Sequence, residues 1–68
     1  MRVVLNGSER ALPEGATVDD AVLASGASGT RRGVAVAVDG EVVPRGQWGS
    51  TELREGQSVE VLHAVEGG

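Results

Sequence analysis

Thr17-Val18-Asp19-Asp20-Ala21-Val22-Leu23 is the segment on which the fold turns, because it is the chain's one helix-patterned stretch. Thr17 is placed to act as N-cap, Asp20 sits at the third helical position, and both aspartates lie near the positive end of the helix dipole. Val18, Ala21 and Val22 follow the i, i+3, i+4 rule and form one apolar stripe, with Leu23 on its flank. Ser25-Gly26 ends the helix. Everything before and after this segment reads as strand or turn.

Upstream, Arg2-Val3-Val4-Leu5 is β-rich and runs into Asn6-Gly7, a strong hairpin signal. A strict two-residue loop would place Val3 opposite Arg10 and Leu5 opposite Ser8, pairing core with polar. A longer loop with Val3 opposite Leu12 fits the pattern better, so a turn with a bulge is expected over Asn6–Glu9. Pro13-Glu14-Gly15 stops the second strand. Downstream, Gly26–Gly33 carries glycines and the two arginines Arg31 and Arg32, the pattern of a surface loop. Val34-Ala35-Val36-Ala37-Val38 reads as a strand covered on one face and partly on the other. Asp39-Gly40 turns it toward Glu41-Val42-Val43, and Pro44 ends that short strand. After a turn at Arg54-Glu55-Gly56-Gln57, Ser58–Val65 is the last strand, alternating Val59 and Val61 against Glu60.

An N-terminal hairpin, a crossover helix and a returning C-terminal strand build a mixed sheet with the helix across one face. A right-handed crossover sets the last strand parallel beside the first. The expected class is α+β, with the ubiquitin-like β-grasp arrangement; a generic α+β sandwich is the alternative. The expected organisation is a single domain over residues 1–65 and a flexible tail over 66–68.

Composition narrows the function. At 68 residues the chain is one domain with little spare core for a buried active site. It has no cysteine, which excludes a disulfide framework, a thiolate zinc site and a cysteine nucleophile. The single His63 cannot assemble a metal site alone. No apolar run approaches a membrane span and no basic-then-apolar leader opens the chain, so a cytoplasmic location is expected. The net charge is −4 and all six basic residues are arginine. An acidic chain with one aromatic lacks the basic footprint and stacking platform of a nucleic-acid binder. It suits a basic surface on a protein partner.

The chain stops at Gly67-Gly68, behind Ala64-Val65-Glu66. A carboxylate on two residues without side chains can thread a channel too narrow for any Cβ, although a trailing end gives the same dipeptide. Val65, Glu66, Gly67 and Gly68 extended span at most about 13–14 Å, enough to enter a partner's active site while the folded body stays outside. Strand parity suggests where a partner docks. With Glu60 facing solvent, Leu62 and Ala64 share its outer face; Arg2 outward puts Val4 outward on the adjoining strand, and Ala35 and Ala37 extend the patch. An apolar patch of this sort beside the tail reads as an interface. His63 shares a face with Val61 and Val65 and is expected to be a partly buried structural residue. Trp48 is expected to cover the open edge of the core, while Pro44 and Arg45 either shape a turn or contact a partner. Asp19 and Asp20 read as capping residues, not as an acid/base pair or metal site. Arg31 and Arg32 read as solvated.

Several stretches together resemble the ThiS/MoaD family of ubiquitin-like sulfur carriers, nearly end to end. They are the opening strand into Asn6-Gly7, Pro13-Glu14-Gly15-Ala16-Thr17-Val18, and Val34 to Asp39-Gly40. Val42-Val43-Pro44-Arg45-Gly46-Gln47-Trp48, Leu53-Arg54-Glu55-Gly56-Gln57-Ser58-Val59-Glu60-Val61 and Gly67-Gly68 complete the set. The Val-Pro-Arg-x-x-Trp spacing in a chain this short ending in Gly-Gly is the specific part. The Gly26–Gly33 loop is unusually rich in glycine and arginine, and Gln57 stands where the family often has an acid. The resemblance to the thiazole (thiamin) branch implies that a ThiF-like adenylyltransferase, using ATP and magnesium, converts the Gly68 carboxylate to an acyl-adenylate. Sulfur from a cysteine desulfurase relay then leaves a thiocarboxylate on Gly68, which a ThiG-like thiazole synthase accepts. It implies a protein co-substrate rather than an enzyme, with no bound cofactor, no metal, no nucleic acid and no membrane, monomeric when free. A molybdopterin-type carrier, a sulfur donor for cysteine or a natural product, and a β-grasp interaction module with an incidental Gly-Gly remain open. An independent enzyme lacks any convergent nucleophile, base and orienting group.

Overall fold

Asn6 and Gly7 both adopt positive φ, 50° and 84°, the pair of values that a two-residue type I′ turn demands. The computed structural model, which describes residues 1–26 and 32–63, therefore closes the first hairpin tightly. Strand β1 (Arg2–Leu5) pairs antiparallel with β2 (Ser8–Ala11), with Val3 opposite Arg10 and Leu5 opposite Ser8. This overturns the bulged turn and the Val3–Leu12 pairing expected from the pattern of apolar residues. The physical reason is that β2 is an edge strand, exposed along its whole length, so Ser8 and Arg10 need not be buried on the core side. Arg10 instead reaches past the core and its guanidinium donates to the Ala24 carbonyl, 2.9 Å away. That sets a cation at the negative end of the helix, where the sequence supplies none locally. Leu12 follows one step later, its N–H donating to the Met1 carbonyl at 2.9 Å, and packs against the core.

The helix forms as its caps require. Helix α1 spans Val18–Ala24, with Thr17 Oγ1 accepting from the Asp20 N–H and the Asp20 carboxylate accepting from the Thr17 N–H at 2.9 Å. Two more N-terminal donors find partners in the loop ahead of the last strand. Val18 N–H donates to the Thr51 carbonyl at 2.9 Å and Asp19 N–H to the Trp48 carbonyl at 3.1 Å, filling vacancies every helix start carries. Ser25 caps the other end and Gly26 turns away with φ 99°. Val18, Ala21 and Val22 are fully buried, while Leu23 is half exposed on the flank.

The stripe packs on a five-stranded sheet ordered β2-β1-β5-β3-β4, where β3 is Val34–Val38, β4 is Glu41–Val42 and β5 is Ser58–His63. Strand β5 lies in the middle, parallel to β1 and antiparallel to β3. Val3, Leu5, Val36, Val59 and Val61 form the sheet side of the core, closed at one end by Trp48 and Leu53. Trp48 is 3% exposed; its indole Nε1–H donates to the Val43 carbonyl at 2.9 Å, and the Arg45 guanidinium lies 5.6 Å from the ring centroid. Trp48 is thus the core cover expected of it, held by a 3-10 turn over Arg45–Gln47 that starts at Pro44. The Val65 end of the expected last strand, the 66–68 tail and residues 27–31 of the loop, Arg31 included, lie outside the described residues.

Replacing Trp48 with Phe leaves the Val43 carbonyl without its donor and shrinks the cover. A loss of about 1–3 kcal/mol is expected, read as a fall in thermal midpoint of about 4–8 °C per kcal/mol by circular dichroism.

Candidate functional site

Period-two alternation in β5 divides the molecule into a filled face and an open one. Val59 and Val61 are 0% and 4% exposed, whereas Leu62, between Val61 and His63, is 71% exposed. Registry with β3 sets Leu62 opposite Ala35 and Glu60 opposite Ala37. On the other side of β5, Val4 of β1 pairs with Ser58, half-buried on the same outer face. The structure therefore brings four of the expected interface residues, Leu62, Val4, Ala35 and Ala37, onto one surface. The fifth, Ala64, lies outside the described residues, as do Val65, Glu66, Gly67 and Gly68.

Val42 was not among the expected interface residues, and it is the most exposed large apolar side chain of the patch at 76%. The signal for it was available. Asp39 and Gly40 take φ of 50° and 85°, a second I′ turn, and a two-residue loop there forces Val42 opposite Ala37. Val42, Ala37, Ala35 and Leu62 then border a shallow depression of about 230 Å³ whose polar rim is Asn6 and Glu60. Helix α1 lies on the opposite side of the sheet, so no described element covers this face. Glu60 has no ion pair among the described residues and sits amid apolar neighbours. The Arg2–Glu9 pair, 3.2 Å apart and largely exposed, marks the far margin, where solvent screens it to little energetic consequence. An apolar face with one carboxylate suits a partner that offers an apolar contact and a basic group.

His63 is exposed, which corrects the expectation of a partly buried histidine. Parity puts it on the core side as foreseen, but the helix has already ended there. Its Nε2 lies 3.4 Å from the Oγ of Ser25, the helix C-cap. Asp20 is engaged in the capping box, as expected. Among the described residues no cluster of histidine and acid side chains could hold a metal ion, and no helix is long and apolar enough to cross a membrane.

Among the described residues, parallel first and last strands, one crossover helix and a sheet face with no element over it define a ubiquitin-like β-grasp protein. The ThiS family model matches residues 3–68, and the chain belongs to the ThiS family. Among solved structures it is similar to the crystal structure of the thiamine biosynthesis protein (ThiS) from Geobacter metallireducens, with 27% identity, 100% of each chain covered and a TM-score of 0.78. No curated protein matches the chain.

Neighbouring side chains on β5 should respond in opposite ways to the same change. Leu62→Ser is expected to leave the unfolding free energy within about 0.5 kcal/mol. Val61→Ser should lower it by about 3 kcal/mol, through lost apolar burial and a hydroxyl with no partner. Urea titrations of the two variants compare them directly.

Proposed function

We propose that this chain is a sulfur carrier of thiamin biosynthesis, acting through its terminal Gly68 carboxylate. Membership of the ThiS family and likeness to a thiamine biosynthesis protein support the carrier role. The observation that carries the finer reading is that the family match runs through Gly67-Gly68, on the chain leaving a central strand beside an open apolar face.

A carboxylate is a poor acyl donor because resonance and negative charge both repel a nucleophile. In the proposed reaction, a ThiF-like adenylyltransferase brings ATP and magnesium to Gly68. The carboxylate oxygen attacks the α-phosphorus, pyrophosphate leaves, and the resulting acyl-adenylate has lost both obstacles. A persulfide from a cysteine desulfurase relay then displaces AMP to give an acyl disulfide, and a second thiol reduces that disulfide to release the thiocarboxylate. A ThiG-like thiazole synthase takes the sulfur while water supplies the oxygen that restores the carboxylate. The carrier is a co-substrate whose own residues deliver the reacting end. Leu62, Val42, Ala35, Ala37 and Val4 supply the docking face, and Val65, Glu66 and Gly67 thread the partner's channel. The net charge of −4 assists encounter with a basic partner surface. The free carrier works as a monomer in the cytoplasm.

Intact-mass spectrometry tests this reading. After incubation with the adenylyltransferase, ATP and a sulfur source, the mass should rise by the difference between one sulfur and one oxygen. Deleting Gly68 should abolish the rise. A persistently unchanged mass in the presence of a competent adenylyltransferase would leave the chain a binding module.

The channel reading has its own test. Gly67→Ala and Gly68→Ala should each slow adenylation without moving the thermal midpoint, since a glycine contributes no side chain to packing. Variants charged at the normal rate would overturn it.

A further inference from the structure

Strand β1 stops supporting β5 before β5 ends. Their parallel backbone pairing reaches Leu5 beside Val59, and the Asn6 N–H donates to the Val59 carbonyl at 2.9 Å. The chain then turns away into β2. On the opposite side, β3 accompanies β5 to the Val34–His63 pair. On the β1 side, the next step is taken by a side chain. The Val61 N–H donates to Asn6 Oδ1 at 2.8 Å, and Asn6 Nδ2 donates back to the Val61 carbonyl at 3.2 Å. The carboxamide thus pairs with a peptide unit as another strand would, extending the β1 ladder beyond the point where β1 has left.

We propose that Asn6 is a positioning residue for the C-terminal tail: its carboxamide fixes the direction in which β5 presents the residues that follow His63. This rests on the carrier reading above. The turn alone does not account for Asn6, because glycine or aspartate satisfies the same positive φ. Only asparagine offers, at this reach, both the acceptor that Val61 N–H needs and the donor that Val61 carbonyl needs. Asn6 also borders the depression on the open face, next to Leu62. The same contact therefore holds the docking residue and the origin of the tail in one geometry. A strand end free to swing would present the carboxylate in the productive direction for a smaller fraction of encounters.

Two turn-compatible variants test it. Asn6→Gly removes both bonds; Asn6→Asp keeps an acceptor for Val61 N–H but sets a carboxylate oxygen against the Val61 carbonyl. Thr17→Ala, which loses the helix cap on the other side of the sheet, serves as the control for general loss of stability.

The first measurement is amide hydrogen exchange of the free protein. Asn6→Gly should speed exchange at Val61 by about tenfold or more, beyond any change at core amides such as Val36. The second is ATP–pyrophosphate exchange by a ThiF-type adenylyltransferase, with the carrier concentration varied. Asn6→Gly should lower kcat/KM by roughly tenfold with most of the loss in kcat, because docking survives while alignment does not. Asn6→Asp should lower it by about threefold or more, so a Gly variant that fails to fold leaves the question answerable. Thr17→Ala should give near-normal kinetics at a temperature where all three remain folded. If the unaltered chain supports no pyrophosphate exchange, the carrier reading falls and the positioning role falls with it. If the unaltered chain is adenylated and both Asn6 variants match it, the positioning role alone is overturned. Unchanged exchange at Val61 in Asn6→Gly would overturn it as well.

Discussion

Parallel pairing of the first strand with the last is the constraint from which the rest of this molecule follows. Strands β1 and β5 can lie side by side in the same direction only if the chain crosses over a sheet face between them. Among the described residues, the helical stripe of Val18–Ala24 makes that crossing. Once β5 is inserted between β1 and β3, the last described strand lies in the middle of the sheet and not at an edge. A terminal segment at an edge would have one neighbour and would fray. This one has a backbone partner on each side as far as Val59.

The pairing also explains why so small a body keeps an apolar surface. Its core is mainly valine and leucine, with one tryptophan as the closing piece, and among the described residues one short helix covers one face. The opposite face has no described element over it. It bears Val42 and Leu62, the two most exposed large apolar residues described. Native domains place such side chains at isolated positions freely; here registry gathers them on adjoining strands around a depression. Stability resides in Val59 and Val61, and recognition in the residues interleaved with them.

Sequence-local features were legible; those that depend on where cover stops were not. The capping box of Thr17 and Asp20 follows from residues three apart, and it formed as read. The split of β5 into buried valines and an exposed Leu62 follows from parity alone. The hairpin register failed because opposing a valine to an arginine is a fault only when both strands are covered, and β2 is not. His63 failed for a related reason, since parity gives the face but not the length of the helix above it. Val42 was readable from Asp39-Gly40, whose two-residue turn dictates its partner. Asn6 shows a different limit. Its presence before a glycine already had a sufficient explanation as a turn residue, which concealed the pairing of its side chain with a strand 55 positions away.

A carrier of this design has a particular reason to be stiff up to the tail. Each residue that a partner must order costs about 1–2 kcal/mol of backbone entropy. Were β5 to loosen from Val61 onward, Val61, Leu62 and His63 would have to be ordered again by a partner, at a cost of roughly 3–6 kcal/mol. An apolar contact at Leu62 is worth at most about 1.5–3 kcal/mol, so it could not restore that loss. Under the proposed carrier role, the side chains that grip β5 therefore bear on delivery as directly as those of the docking face.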